Sequence, residues 1–126
     1  MTIEHVALWT PDLERSRQFY SEYFGALASA WYRNPGRQFS SYFLSFASGA
    51  RLELMQQPKL LAAGPGPAHG YAHLAFASGS AAAVQALTER LRGAGYPIIS
   101  EPRTTGDGYY ESVIADPDGN LVEITI

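Results

Sequence analysis

Cysteine is absent from this 126-residue sequence, which excludes disulfides, thiolate metal ligands and a cysteine nucleophile. Basic residues are not in excess either: the sequence has nine Lys and Arg and twelve Asp and Glu, which gives a net charge of −3. Without a basic stripe, neither nucleic acid nor an anionic membrane is an expected partner. We expect no signal peptide and no transmembrane segment, since no long apolar run occurs. Together these absences predict a cytoplasmic protein.

The sequence nevertheless carries enough apolar residues to fold. Hydrophobic residues make up 46% of the chain and charged residues 17%, which is typical of a globular protein and not of a disordered one. At this length one domain can bury a sizeable core. We expect a single domain over residues 1–126, built from a first module at about 2–57, a linker rich in Pro and Gly at about 58–70, and a second module at about 71–126.

Each module has the same predicted order of elements: a strand, a helix and three further strands. Alternating β-prone residues predict the strands, and an i, i+3, i+4, i+7 stripe predicts each helix. The first helix begins at Thr10 or Asp12 as its cap and ends at Gly25. The predicted strands lie at about 2–9, 26–33, 39–47, 51–56, 71–77, 98–101, 109–115 and 121–126, and the helices at about 13–24 and 80–93. This order predicts an α+β fold of tandem βαβββ modules whose mixed sheets curl into a cleft.

Two histidines and two glutamates recur at equivalent points of the two modules. His5 and His73 lie in the first strand of each module, and Glu53 and Glu123 lie in the last strand, a few residues after a Gly turn. Side chains i and i+2 of a strand share one face, so the apolar neighbours of these residues face the other way, toward the helix. Imidazole and carboxylate form the ligand set of catalytic divalent metals. Where the modules curl together, the four side chains therefore predict a metal site.

Each of the four residues also has a plainer interpretation. A single histidine in a β-strand is more often a polar residue with its hydrogen bonds made within the protein than a metal ligand. A single strand Glu is usually solvated or ion-paired, here with Arg51 as a candidate partner of Glu53. Four such residues at matched positions are harder to attribute to chance. Because carboxylates in an apolar cleft are costly to bury unless they are paired or bind a metal, the pattern favours metal binding.

The motifs around these residues resemble the vicinal oxygen chelate superfamily, which includes glyoxalase I, methylmalonyl-CoA epimerase, fosfomycin-resistance enzymes, extradiol dioxygenases and bleomycin-resistance proteins. The resemblance covers nearly the full chain, and its most specific part is the Asp-Pro-Asp-Gly-Asn turn ahead of Glu123. The residues that carry it are His5, Pro11-Asp12-Leu13, Phe19-Tyr20, Glu53, Gly70 to Phe76, Asp116 to Asn120 and Glu123. By this resemblance the metal ligands are His5, Glu53, His73 and Glu123.

A set of two His and two Glu is most similar to that of bacterial glyoxalase I. The resemblance implies a metal-dependent lyase or isomerase, similar to lactoylglutathione lyase, that acts on a small carbonyl compound or thiol adduct through an enediolate. It implies Glu123 as catalytic base and ligand, Glu53 in the mirrored role, and His5 and His73 as ligands alone. The expected cofactor is a divalent Ni, Zn, Co, Mn or Fe ion. The expected assembly is a homodimer with a small-molecule substrate.

Aromatic and charged residues near the ligands are candidates for a substrate pocket. They are Trp9, Arg51, Met55, Tyr71 and Tyr109, and ordinary core packing is the alternative for the apolar ones. Further candidates for binding an anion are Arg33, Arg37 and Arg103, with a solvated surface charge as the alternative for each. We expect His69 to be exposed and residues 104–108 to form a simple hairpin turn.

One departure from glyoxalase I keeps other functions open, and one departure from the fosfomycin-resistance enzymes counts against that alternative. Glyoxalase I commonly has an Arg where this chain has Trp9, and fosfomycin-resistance enzymes carry a Thr where this chain has Ala7. One alternative is an enzyme of the fosfomycin-resistance type, which transfers a thiol or water to an epoxide. The other is a metal-free protein that sequesters a ligand, as bleomycin-resistance proteins do, and the intact ligand set disfavours it.

Overall fold

The computed structural model describes residues 1–62 and 70–126. Contacts divide the chain into two units, Met1–Gly64 and Pro65–Ile126. The linker predicted at 58–70 falls largely on residues outside those described, and His69 lies wholly outside them. Within the described residues each unit contains one helix and one sheet, and both sheets mix parallel with antiparallel pairing. The predicted α+β fold of tandem βαβββ modules is therefore confirmed.

Unit 1 builds its sheet around two central strands. Its elements are β1 (His5–Trp9), α1 (Leu13–Phe24), β2 (Leu27–Ala28), β3 (Tyr32–Asn34), β4 (Phe39–Ser45) and β5 (Arg51–Gln56). Strand β5 pairs in parallel with β1 and antiparallel with β4, whose other edge carries both β2 and β3. The single strand predicted at 26–33 is wrong. Residues 29–31 stand opposite only 42–43 of β4, so the extra residue interrupts the pairing and leaves two short strands.

Unit 2 repeats this arrangement with fewer strands. Its elements are β6 (His73–Ala77), α2 (Ala81–Gly93), β7 (Ile98–Thr104), β8 (Tyr110–Ala115) and β9 (Leu121–Thr125). The strand order is β6-β9-β8-β7, with β6 and β9 parallel and the other pairs antiparallel. Strand β7 runs to Thr104, past the predicted end at Glu101, because it keeps pairing with β8 through two register shifts.

Both helices begin at a polar cap. Asp12 is the N-cap of α1 and accepts a hydrogen bond from the backbone N–H of Arg15 at 3.0 Å, so of the two predicted caps Asp12 and not Thr10 fills this position. Gly25 ends α1 in the left-handed region, with φ of 67°. Ser80 caps α2 in the same way as Asp12 caps α1. Neither of these helices, the two that the described residues form, is long and apolar enough to cross a membrane.

Each sheet packs its helix against one face only. The buried side chains of this layer are Phe19, Tyr20, Leu44, Leu52 and Leu54 in unit 1, and Val84, Leu91, Ile114, Val122 and Ile124 in unit 2. Burying a side chain of this size stabilises the fold by about 1.5–3 kcal/mol. Alternate residues of β1 and β6 are exposed. The face of each sheet opposite the helix is therefore where strand side chains are left available for chemistry.

Candidate metal centre

In unit 1 the parallel pairing of β1 with β5 brings a histidine and a glutamate together. Ala7 is directly opposite Glu53, and His5 lies two residues before Ala7 on the same face. The Nε2 atom of His5 is 3.9 Å from the Oε2 atom of Glu53. The neighbours Leu52 and Leu54 are buried beneath α1, so Glu53 points to the opposite face of the sheet. Its side chain is 13% exposed, whereas that of His5 is 41% exposed.

Unit 2 forms the same pair in the same register. Ala75 of β6 is opposite Glu123 of β9, and His73 lies two residues before Ala75. The Nε2 atom of His73 is 3.3 Å from the Oε2 atom of Glu123, and the two side chains are 42% and 20% exposed. Because register and spacing repeat, the two units present equivalent His–Glu pairs on the face away from their helices.

A second carboxylate holds His5 from its other side. The Nδ1 atom of His5 donates a hydrogen bond to the Glu4 carboxylate, which also accepts from the Arg51 guanidinium, at 2.8 Å from Nε. The hydrogen bond from His5, and after it that from Arg51, lower the pKa of the Glu4 carboxyl from its usual value. Arg51 therefore pairs with Glu4, and not with Glu53 as the alternative interpretation of the sequence had it. The arrangement leaves Nε2 of His5 directed at Glu53.

The ring of Phe43 supports this cluster. Phe43 is opposite Glu53 in the antiparallel pairing of β4 with β5. Its ring meets that of His5 edge to face, with centroids 5.3 Å apart, and the Arg51 guanidinium carbon lies 4.2 Å from its centroid. The aromatic ring thus helps to fix the orientation of both the imidazole and the guanidinium.

The two units differ in this supporting layer. The residue before His5 is Glu4, whereas the residue before His73 is Ala72, which has no carboxylate to offer. Analysis of the sequence did not single out Glu4. Metal-binding histidines commonly donate a hydrogen bond from their second ring nitrogen to a carboxylate. An acidic residue directly before a candidate histidine ligand was therefore the signal that could have identified Glu4.

Each His–Glu pair has the chemistry and spacing of two ligands of one ion. Zn–N and Zn–O bonds are about 2.0–2.2 Å long, so two donors on the same ion stand about 3–3.5 Å apart. The separation of 3.3 Å between His73 and Glu123 lies within this span, and that of 3.9 Å between His5 and Glu53 lies above it. Nowhere in residues 1–62 and 70–126 do three or more His, Cys, Asp or Glu side chains lie close enough to hold an ion. Each pair therefore offers two potential metal ligands within its own unit.

The predicted pocket residues fall into two groups. In unit 1, Trp9 is opposite Met55, and both lie on the face of Glu53. Trp9 is 49% exposed, and Arg51 shares this face in its ion pair with Glu4. In unit 2, Tyr71 and Tyr109 are exposed and lie just before β6 and β8, not in the strands where they were expected. That these five residues line a substrate pocket stays a prediction.

The remaining candidates of unit 2 have structural partners. Arg103 donates to the Ser100 hydroxyl at 2.6 Å and lies 4.0 Å from the Glu111 carboxylate. Thr105 and Tyr109 bond to each other through their backbones across the turn from β7 to β8, so residues 104–108 form the expected hairpin turn. These contacts account for Arg103 and the turn without a ligand.

Comparison with known proteins finds relatives along the whole chain. The protein PA2024 of Pseudomonas aeruginosa, described as uncharacterized, is 30% identical over 137 residues, which span 98% of this chain and 87% of PA2024. The uncharacterized protein YqjT of Bacillus subtilis is also 30% identical, over 97% of this chain and 96% of its own.

The fold is shared with enzymes of known structure. Glyoxalase I from Zea mays superposes with a TM-score of 0.81 at 25% identity, over 98% of this chain. The chain spans only 44% of the maize protein. A family model matches residues 2–124, nearly the whole sequence. The chain therefore belongs to the Glyoxalase/Bleomycin resistance protein/Dioxygenase superfamily.

Proposed function

We propose that this protein is a divalent-metal-dependent isomerase or lyase of the glyoxalase I type, acting on a small carbonyl compound or its thiol adduct. The observation that carries the proposal is the repeated His–Glu pair, His5 with Glu53 and His73 with Glu123, at the same register in both units. The likeness to maize glyoxalase I supports the same chemistry. A protein that only sequesters a ligand has no need of two matched pairs of this kind.

The four side chains of the two pairs would hold the ion. Two neutral imidazoles and two carboxylates suit Ni, Zn, Co, Mn or Fe in the divalent state. When bound, such an ion supplies Lewis acidity to the oxygens of a carbonyl substrate. Glu4 acts on this set through His5, because its carboxylate fixes the ring with Nδ1 protonated and Nε2 free to act as a ligand.

The glutamates would move the proton. In the proposed reaction an Oε atom of Glu123 takes a proton from the carbon beside the carbonyl and returns it to the neighbouring carbon. The neighbouring carbon is the former carbonyl carbon, and the hydroxyl proton moves to its oxygen. One C–H and one O–H bond therefore break and one of each forms, so substrate and product are isomers and no further reactant is needed. Glu53 occupies the mirrored position and is the second candidate for this role. Trp9 and Met55 would form the apolar wall beside the reacting carbons, with Arg51 at its rim.

A complete ligand set needs one pair from each unit. Both pairs come from one chain, or the chain forms a homodimer in which each site takes unit 1 of one copy and unit 2 of the other. Mixing a His5→Ala chain with a His73→Ala chain separates these cases. A shared site leaves one intact site in each mixed dimer, and about a quarter of wild-type activity returns. A site within one chain gives no recovery.

The proposal is tested by metal loading followed by turnover of the methylglyoxal–glutathione adduct. We expect the wild-type protein to bind stoichiometric metal. We expect Glu123→Gln to lower kcat by about 100-fold or more, as for removal of a general base. Glu101→Gln is the matched control, because Glu101 is an exposed glutamate of the same unit paired with Arg92 on α2. Failure to take up metal would favour sequestration. Metal uptake with turnover of an epoxide antibiotic in place of the adduct would favour the fosfomycin-resistance type.

A further inference from the structure

An open cleft of about 410 Å³ lies at one end of the unit 1 sheet. Its lining includes Trp31, Arg33, Gln38, Ser40, Gln56 and Gln57, together with two prolines. The volume is within the range of sites for small organic ligands, which runs from about 300 to 1,000 Å³.

Three of the residues that line the cleft lie on the face of the sheet opposite the candidate metal ligands of unit 1. Arg33 of β3 is in register with Ser40 of β4, which is in register with Gln56 of β5, so the three side chains share a face. Gln56 is one residue beyond Met55 and points to the helix side, where its Nε2 atom donates to the carbonyl oxygen of Pro11 at 2.5 Å. Because Glu53 points the other way, these three side chains lie on the face opposite its carboxylate.

Arg33 gives the cleft a positive charge that the surrounding residues do not neutralise. None of the described residues that line the cleft is acidic, and within the described part of the chain Arg33 has no ion pair. Its side chain is exposed at a strand edge, with the donor-bearing amides of Gln56 and Gln57 in the same lining. A planar guanidinium binds a carboxylate through two parallel hydrogen bonds, a geometry that a point charge does not provide.

Trp31 adds a flat apolar surface to this anion site. It lies two residues before Arg33, and both residues line the cleft. The indole is 54% exposed. Exposed aromatic faces bind planar rings by stacking. Gln38, also in the lining, has φ of 55° and is the one non-glycine residue with positive φ in the described chain.

We infer that this cleft binds a small aromatic carboxylate, with the carboxylate on Arg33 and the ring on Trp31. The site does not include His5 or Glu53 and stands whether or not the protein is a metalloenzyme.

Benzoate is the probe, followed by ¹H–¹⁵N NMR of the metal-free protein. The chain has two tryptophans, so there are two indole N–H signals, which the Trp9→Phe variant assigns. We expect benzoate to shift the Trp31 signal saturably, with Kd on the order of 1 mM for a ligand this small. Arg33→Gln should raise Kd about tenfold or more, and Arg33→Lys less, because Lys keeps the charge but loses the fork.

Arg37→Gln is the matched control, since it removes the same charge from the same hairpin outside the lining of the cleft. It should leave Kd within about twofold of wild type, because Arg37 does not line the cleft and water and salt screen an exposed charge. Equal weakening by Arg33→Gln and Arg37→Gln, or a shift of the Trp9 signal in place of the Trp31 signal, would overturn the assignment. So would benzyl alcohol or inorganic phosphate competing as well as benzoate, since one lacks the carboxylate and the other lacks the ring. The dispersed spectrum of each variant reports that it has folded.

Discussion

The contact between Glu4 and His5 predicts that a residue outside the ligand set controls metal affinity. Glu4 accepts from Nδ1 of His5 and from Arg51, so the imidazole is held with Nε2 facing Glu53. Removing such a partner typically weakens metal binding 10–100-fold. Glu4 is 62% exposed, and water and salt screen its charge, so we expect about tenfold for Glu4→Ala, the lower end of this range. Glu4→Gln should have a smaller effect, because its amide oxygen still accepts from Nδ1.

The assay is competition for Zn²⁺ between the protein and a chromogenic chelator of known affinity. Glu101→Ala serves as the control, since it removes a similarly exposed carboxylate that forms an ion pair with Arg92. The reverse change is available in unit 2, where Ala72→Glu places a carboxylate before His73 and should tighten binding. The reasoning fails if Glu4→Ala and Glu101→Ala bind Zn²⁺ with the same affinity while His5→Ala abolishes binding.

Three further predictions concern stability, measured by urea unfolding with Leu61→Ala as a common control, since Leu61 is 96% exposed. Leu44→Ala should lower the free energy of unfolding by about 2–5 kcal/mol, because Leu44 is fully buried against its helix, whereas the control should change it by less than about 0.5 kcal/mol. Tyr42→Phe should lower it by roughly 0.5 kcal/mol at pH 7, because the Tyr42 hydroxyl donates to Glu14 at 2.5 Å at an exposed site. That bond, with a smaller contribution from a neighbouring guanidinium, lowers the pKa of Glu14 from 4.5 in the folded state. The stabilisation is therefore present above pH 4.5. The difference in free energy of unfolding between Tyr42→Phe and wild type should shrink as the pH falls and Glu14 takes up a proton. A difference that stays constant down to pH 3 would contradict this. Asp116→Ala should cost about 1.5–3 kcal/mol, because the carboxylate is 4% exposed and accepts from two backbone amides of its own turn at 2.9 Å, and an effect no larger than that of the control would refute this role.

Local patterns in the sequence account for most of the fold. The apolar stripe and the caps at Asp12 and Gly25 define α1 because they act within a few residues of each other. Strand alternation likewise predicts that His5 and Glu53 face away from the helix, since period two is a property of any strand. These features need no knowledge of which strands become neighbours.

What the sequence could not supply depends on pairing between distant strands. The break between β2 and β3 arises from their match to β4, where three residues meet two, and no local signal marks it. The contact of Arg51 with Glu4 follows from the parallel pairing of β1 with β5, which puts Arg51 opposite His5. These two strands are far apart in the chain. A helix-side cleft around Arg33 is equally a product of three strands in register.

The alanine opposite each glutamate, Ala7 and Ala75, marks an alignment on which the whole ligand set depends. A slip by one residue between two strands turns every second side chain over. A misaligned β5 or β9 would hide its carboxylate among the leucines and isoleucines and expose those to water. In the proposed metalloenzyme, uptake of an ion would therefore report correct folding of each half of the molecule, and a chain trapped with either sheet out of register would neither bind the ion nor resist aggregation.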